Sequence, residues 1–158
     1  MHWRLTAAAF NAQRGECNRQ AMHALVIQGK PVGVMAFERD IAVGWCAIAP
    51  RAEYPRFNNS RILKPVDAAP VWSVTCFYIA KQYRMKGMSV PLLNAAVAYA
   101  TANGAAIVEG YPVEPSHGKQ PDVFVWTGLA ATFIKAGFTE VVRRSKVRPI
   151  MRLVVTNS

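Results

Sequence analysis

Between Val71 and Gly104 the apolar positions change their spacing, and the change marks a strand, a turn and a helix. Val71 to Ile79 is apolar, aromatic or β-branched almost throughout, the composition of a strand covered on both faces, which places it at the centre of a sheet. From Met88 the period becomes about 3.6. Leu92, Leu93, Ala96, Val97 and Ala100 then share one helical face, Asn94 and Thr101 lie off it, and Gly104 follows as the terminating residue. Pro91 fits this reading because the first helical turn tolerates a missing N–H, so the helix is expected to start near Gly87 to Ser89.

The same reading extends to the rest of the chain. Leu5 to Gln13 and Arg19 to Gln28 are predicted as early helices, the second ended by Gly29. Val32 to Phe37 and Ile41 to Ile48 read as a hairpin turned by Glu38-Arg39-Asp40. Ala49 to Pro70 carries four prolines with Asn58, Asn59 and Ser60, and is expected to be one long loop; long loops in compact domains are often functional. A strand Ala105 to Val108, a helix Phe124 to Ala136 with Trp126, Leu129, Ala130 and Phe133 at helical spacing, and two strands, Phe138 to Arg144 and Arg148 to Val155, complete the chain. No strand is expected before the early helices.

Length and composition bound the class. A chain of 158 residues without repeats or a linker is expected to form a single domain, residues 1–158, with a core large enough to need neither disulfides nor metal. Its three cysteines, Cys17, Cys46 and Cys76, lack metal-ligand spacing, so no metal is expected, and Cys46 and Cys76 read as small packing residues. No apolar run reaches the ~18 residues of a membrane span, and His2-Trp3-Arg4 leads into no secretory core. The expected location is cytoplasmic, without a membrane partner.

Gln82-Tyr83-Arg84-Met85-Lys86-Gly87-Met88-Ser89 joins strand to helix. The first N–H groups of the helix and its dipole point into this turn, Arg84 and Lys86 add two charges, and Gly87 lets the backbone approach a ligand. A pyrophosphate suits such a turn. Arg84 to Ser89 resembles the R/Q-x-x-G-x-G/A signature of the GCN5-related N-acetyltransferase (GNAT) superfamily, with Ser89 in place of the final Gly or Ala. The resemblance covers roughly Gly33 to Val155.

The resemblance implies an α/β (α+β) acyl-CoA N-acyltransferase fold: a central mixed, mostly antiparallel twisted sheet of about six strands flanked by helices on both faces. It implies acetyl-CoA as cosubstrate, with its pyrophosphate at Arg84, Met85, Lys86, Gly87, Met88 and Ser89 and its pantetheine arm along Phe77, Tyr78 and Ile79 to Lys81. The Ile79 backbone N–H becomes the oxyanion donor. Phe133 lies in the Y-x-x-x-G-F pattern of the last helix, where the family often has the tyrosine that protonates the leaving thiolate, so the resemblance implies that it lines the cofactor site. Phe133 has no hydroxyl, and Tyr111 and Tyr78 are the substitutes.

Acetyl transfer to an amine needs a base, because an amine of pKa near ~10 is mostly protonated at neutral pH. Glu109, after the strand Ala105 to Val108, matches the general base of some ribosomal-protein acetyltransferases; the competing reading is an ion pair with a nearby arginine. Asp67, Glu53 and Glu114 are the loop alternatives, and His117 a proton shuttle.

The formal charge of +10, from 19 basic and 9 acidic residues, is read as a solvated basic face that steers an anionic cofactor, with nucleic acid disfavoured as partner. Arg51, Glu53 and Tyr54 in the long loop are expected to help bind the acceptor, a small-molecule amine, and the loop arginines suit one bearing a carboxylate or phosphate. A non-catalytic acyl-CoA-binding module with a basic surface, and a protein or ribosomal-protein acetyltransferase, are the alternatives. Trp3, Phe10, Trp45 and Trp72 fit either the core or the surface of a homodimer.

Overall fold

A computed structural model describes residues 1–115 and 126–155, so His117 and the expected helix start at Phe124 lie outside the described residues. Six strands form one sheet: β1 (Val34–Glu38), β2 (Ile41–Pro50), β3 (Trp72–Ile79), β4 (Ile107–Gly110), β5 (Thr139–Arg143) and β6 (Pro149–Val154). Their order is β1-β2-β3-β4-β6-β5, with β3 and β4 parallel and every other pair antiparallel. The parallel pair follows from the crossover between them, the helix α3 (Ser89–Ala102), which returns the chain to the start of the sheet. α1 (Ala7–Ala12) and α2 (Glu16–Ile27) precede the sheet, and α4 (Ala130–Lys135) lies between β4 and β5.

Adjacent residues on each strand point to opposite faces, and each face carries its own core. On one, Leu92, Leu93, Ala96 and Ala100 of α3 pack on Cys46, Ile48, Val74, Val108 and Met151, with Phe133 and Phe138 beside them. Ala49, Tyr54, Phe57, Leu63, Tyr111 and Ile150 fill the other, and Trp3 stacks on Phe57 at 4.4 Å. Each large side chain so enclosed contributes about 1.5–3 kcal/mol. The expected loop after β2 therefore holds structure: short 3-10 turns at Arg51–Glu53 and Pro55–Asn59 bury Tyr54 and Phe57 as the second core.

β3 and β4 pair only from Trp72–Val74 to Val108–Gly110 and then part, while β3 runs on beside β2 to Ile79. Residues 126–130 enter the gap. The Phe77 N–H donates to the Trp126 carbonyl at 2.7 Å, and Val113 bridges Leu129 through hydrogen bonds to Gly128 and from Ala130. This corrects the predicted helix Phe124 to Ala136, which begins only at Ala130. Gly128 has φ +87° and Leu129 is extended, because the Trp126 carbonyl is held by β3 and the Gly128 carbonyl and Ala130 N–H by residue 113. Trp126 and Leu129 merely mimic helical spacing.

The strand expected at Ala105 to Val108 is likewise displaced to Ile107–Gly110. The Ala105 N–H closes the end of α3 on the Ala100 carbonyl, so pairing starts later and Glu109 lies inside the strand. The start of α3 and its end before Gly104, with φ +84°, agree with the sequence. Among the described residues no helix is long and apolar enough to cross a membrane.

Candidate functional site

Where β3 ends, a short 3-10 turn at Lys81–Tyr83 leads to Arg84, and two left-handed residues, Met85 (φ 60°) and Gly87 (φ 78°), turn the chain into α3. For Gly87 this conformation carries no steric penalty; for Met85 it costs about 1–2 kcal/mol, while its side chain stands 90% exposed. The turn is tied on both sides: Arg84 Nε donates to the Ile79 carbonyl at 2.8 Å, and the Tyr83 hydroxyl donates to Glu38 on β1. Lys86 Nζ stands 5.7 Å from the centre of the Tyr83 ring.

A groove of about 310 Å³ opens between this turn, the free side of β3 and residues 126–132. Phe77, Tyr78, Ile79, Arg84, Met85 and Ser89, all among the residues expected at the cofactor, line it, while Lys86, Gly87 and Met88 belong to the adjoining turn. Trp126, Gly128, Leu129 and Thr132 complete the wall. Sequence reasoning missed these four because it assigned Trp126 and Leu129 to a helix core; Gly128, a helix breaker between two large apolar residues, was the available signal. Ser89 Oγ and Thr132 Oγ1 lie 3.3 Å apart on the floor. The Ala80 N–H points back at Val43 and the Phe77 N–H away from β2, so by alternation the Ile79 N–H also faces the groove.

Phe133 is not part of this wall. Its ring is fully buried, edge-on to Phe77 and Phe138, and a Cβ on Gly110 would fall inside it. The expectation that it meets the cofactor is corrected: the bare backbone of Gly110 and Gly128 makes room for the ring in the core.

Glu109 sits on the opposite face of the sheet with no exposed surface. Its Oε1 accepts from Arg51 Nη1 at 2.8 Å and from the Tyr111 hydroxyl at 2.6 Å, and its Oε2 accepts from Arg152 Nε at 2.7 Å. Arg152 also grips Asp67 with both terminal nitrogens, and Ser73 Oγ lies 2.8 Å from the Tyr111 hydroxyl. This geometry corrects the reading of Glu109 as general base and favours the ion pair: its oxygens are occupied by three donors, and none faces the groove. Tyr111 fails as an acid for the same reason. Burial, then the adjacent Glu109 charge, holds its phenol well above the usual range, and its hydroxyl spends its hydrogen bond on Glu109.

The acceptor residues read from the long loop fare similarly. Arg51 is spent on Glu109, Tyr111 and the Leu63 carbonyl, and Glu53 pairs with Arg4 at 2.8 Å. Glu114 pairs with Arg143 at 2.6 Å. Tyr54, in contrast, lines a second cavity of about 90 Å³ on the other side of β3, where Trp126 is again a wall. Cys76 lines that cavity too and is only partly buried, whereas Cys46 is the enclosed packing residue expected. No group of side chains able to hold a metal ion occurs among the described residues.

Neither a family model nor a curated protein matches the chain. Solved structures do. A protein described as a candidate GNAT-family acetyltransferase from Desulfovibrio desulfuricans is 17% identical at a TM-score of 0.55, over 89% of this chain and 77% of that one. An aminoglycoside 6'-N-acetyltransferase complexed with coenzyme A is 13% identical at a TM-score of 0.55, over 96% and 87% of the two chains. A candidate ribosomal-protein-serine acetyltransferase from Vibrio cholerae is 19% identical at a TM-score of 0.54, over 92% and 76%. With its six-stranded mixed sheet opened between β3 and β4 and helices on both faces, this chain has the GNAT acyl-CoA N-acyltransferase fold.

Proposed function

We propose that the chain is a GNAT-superfamily N-acetyltransferase, a single domain over residues 1–158, that moves an acetyl group from acetyl-CoA to a small-molecule amine by direct attack in a ternary complex. The observation that carries this reading is the groove at the end of β3, where an unpaired strand side, a left-handed turn and the start of a 14-residue helix converge. Coenzyme A held by a neighbour of the same fold supports it.

The turn Arg84 to Ser89 receives the pyrophosphate on the N-terminal amides of α3, with Arg84 and Lys86 for charge. The pantetheine arm lies along β3. Because the Trp126 carbonyl already holds the Phe77 N–H, the Ile79 N–H is the donor left for the developing oxyanion. The amine nitrogen attacks the thioester carbonyl, the N–C bond forms and the C–S bond breaks; the amine proton passes to water, and the departing thiolate takes a proton. Tyr78, which carries the phenol among the described residues of the groove, supplies it. With a thiol pKa near ~8.5 the thiolate leaves readily, so this donor helps moderately.

Thermal melting with acetyl-CoA tests the cofactor site. At ~100 times Kd the ligand stabilises by ~2.7 kcal/mol, a rise of several degrees for a chain of this size. Release of free thiol with an amine panel tests transfer, and Tyr78→Phe is expected to lower kcat severalfold with an unchanged KM for acetyl-CoA. A melting rise with no thiol release from any amine would leave the non-catalytic acyl-CoA-binding module as the reading.

A further inference from the structure

A third cavity, of about 410 Å³, opens between the N-terminal segment and the 3-10 turn Pro55–Asn59. It shares no residue with the groove, and Trp3 on its wall is stacked against the groove's Trp126 at 5.8 Å. A cation stands at its side. Arg56 reaches the N-terminal segment through Nη1, which donates to the His2 carbonyl at 3.1 Å and meets His2 Nδ1 at 3.3 Å. Among the described residues, Nε and Nη2 of this guanidinium have no acceptor, and no carboxylate pairs with Arg56 or lines the cavity. Arginine can only donate, so His2 Nδ1 is the acceptor; burial and then the Arg56 charge lower the pKa of that ring and keep it neutral. The charge of Arg56, half withdrawn from water, is left without a counter-ion.

The other polar groups of the wall are donors too. Thr6 Oγ1 already accepts from the Ala9 N–H at 3.2 Å, and Ser60 Oγ from the Leu63 N–H at 3.0 Å. Each keeps a hydroxyl proton to give. The side-chain amide of Asn59, at the exposed end of the turn, has no hydrogen bond among the described residues. Guanidinium, hydroxyls and amide together match the three terminal oxygens of a phosphate monoester better than the two of a carboxylate. Trp3, Ala7 and Pro55 add apolar surface, and the volume lies in the ~300–1,000 Å³ range of small-molecule sites, more than a phosphate alone fills.

We infer that this cavity binds a phosphate monoester with a compact apolar body, the phosphate on Arg56, Thr6, Asn59 and Ser60 and the body against Trp3 and Pro55. Nothing in this site depends on acetyl transfer.

Phenyl phosphate is the probe, titrated into the full chain at constant ionic strength and followed by backbone amide shifts in NMR spectra. Saturating shifts are expected at Thr6, Ala7, Arg56, Asn59 and Ser60. Affinity should exceed that for benzoate by about tenfold, the worth of one further hydrogen bond to a charged group, and should also exceed that for inorganic phosphate or benzyl alcohol. Arg56→Gln should abolish saturation. Because Arg56 also holds His2, Asn59→Asp is the second variant: it brings a carboxylate to an exposed position, should leave the melting temperature unchanged, and should weaken phenyl phosphate at least tenfold. Acetyl-CoA present at saturation should leave the titration intact. Shifts that fail to saturate, equal affinity for benzoate, inorganic phosphate or benzyl alcohol, or unaltered affinity in Asn59→Asp would each overturn the assignment. So would displacement of phenyl phosphate by acetyl-CoA, which would put the probe in the groove.

Discussion

Glu109 and Ile79 belong to neighbouring parallel strands, yet one sits where three donors close on its carboxylate and the other where β3 has parted from β4 beside the groove. Around Glu109 two arginines, a tyrosine and a second carboxylate close on one another under the 3-10 turns after β2. The groove beside Ile79 is built instead from backbone, small hydroxyls and aromatic surface. Acidic and basic side chains in the interior of this molecule hold the sheet together, and on the proposed reading the chemistry falls to the Ile79 N–H and the Tyr78 phenol beside the groove. A strongly ionic cluster in a fold of this kind is thus no pointer to the reacting atoms.

The sharpest way to break this contrast is to remove the carboxylate. Glu109→Leu leaves Arg51 and Arg152 facing each other with their shared partner gone, and is expected to cost about 3–5 kcal/mol, read by urea denaturation. That corresponds to a fall in Tm of roughly 10 °C or more. The milder Glu109→Gln separates the roles: a stability unchanged to within 1 kcal/mol together with a hundredfold loss of kcat would restore Glu109 as a catalytic group.

Gly110 is the hinge between the two regions, one residue from Glu109 and against the Phe133 ring. Gly110→Ala should overpack the core by about 1–3 kcal/mol and should shift the acetyl-CoA affinity little, as measured by calorimetry. A large loss of affinity would show that Phe133 communicates with the groove.

Gly87→Glu acts on the groove alone. The site has open space around the glycine, so the cost is backbone strain of about 1–2 kcal/mol at φ 78°, while the added carboxylate repels the pyrophosphate. The melting rise with acetyl-CoA should vanish. A full rise in this variant would place the cofactor elsewhere.

The smallest effect concerns His2, whose pKa is lowered first by burial and then by Arg56, which donates to the His2 carbonyl. A base with a depressed folded pKa binds fewer protons than in the unfolded chain. Its contribution is therefore present above the ordinary histidine pKa of ~6.5 and is lost as pH falls below it. Stability should decline between pH 7 and 5 and decline less in His2→Asn, followed by melting in matched buffers. An identical decline in both would remove His2 from the account.

Much of this molecule is legible without coordinates. The period-3.6 face of Leu92 to Ala100, the closing Gly104, the β-branched run ending at Ile79 and the turn Arg84 to Ser89 are local patterns, and local patterns fix local structure. What failed shares a cause. Trp126 and Leu129 have helical spacing, but the Trp126 carbonyl is claimed by β3 and the residues flanking Leu129, Gly128 and Ala130, by residue 113. Glu109 looked catalytic because its partners Arg51 and Arg152 lie 58 and 43 residues away in the chain. Tyr111 is expected as the acid and Phe133 beside the cofactor, and burial keeps both side chains away from the groove.

The strand-turn-helix unit at residues 71–104 and the glycine in its turn are written in local sequence, since propensity, periodicity and the freedom of Gly87 operate between neighbours. Which carboxylate is neutralised, which ring fills the core and which cavities remain were decided by the tertiary structure. Those outcomes depend on the gap between β3 and β4 and on what distant segments put into it, and the free energy of a buried charge or an unpaired strand is set by whatever the whole fold brings within a few ångströms.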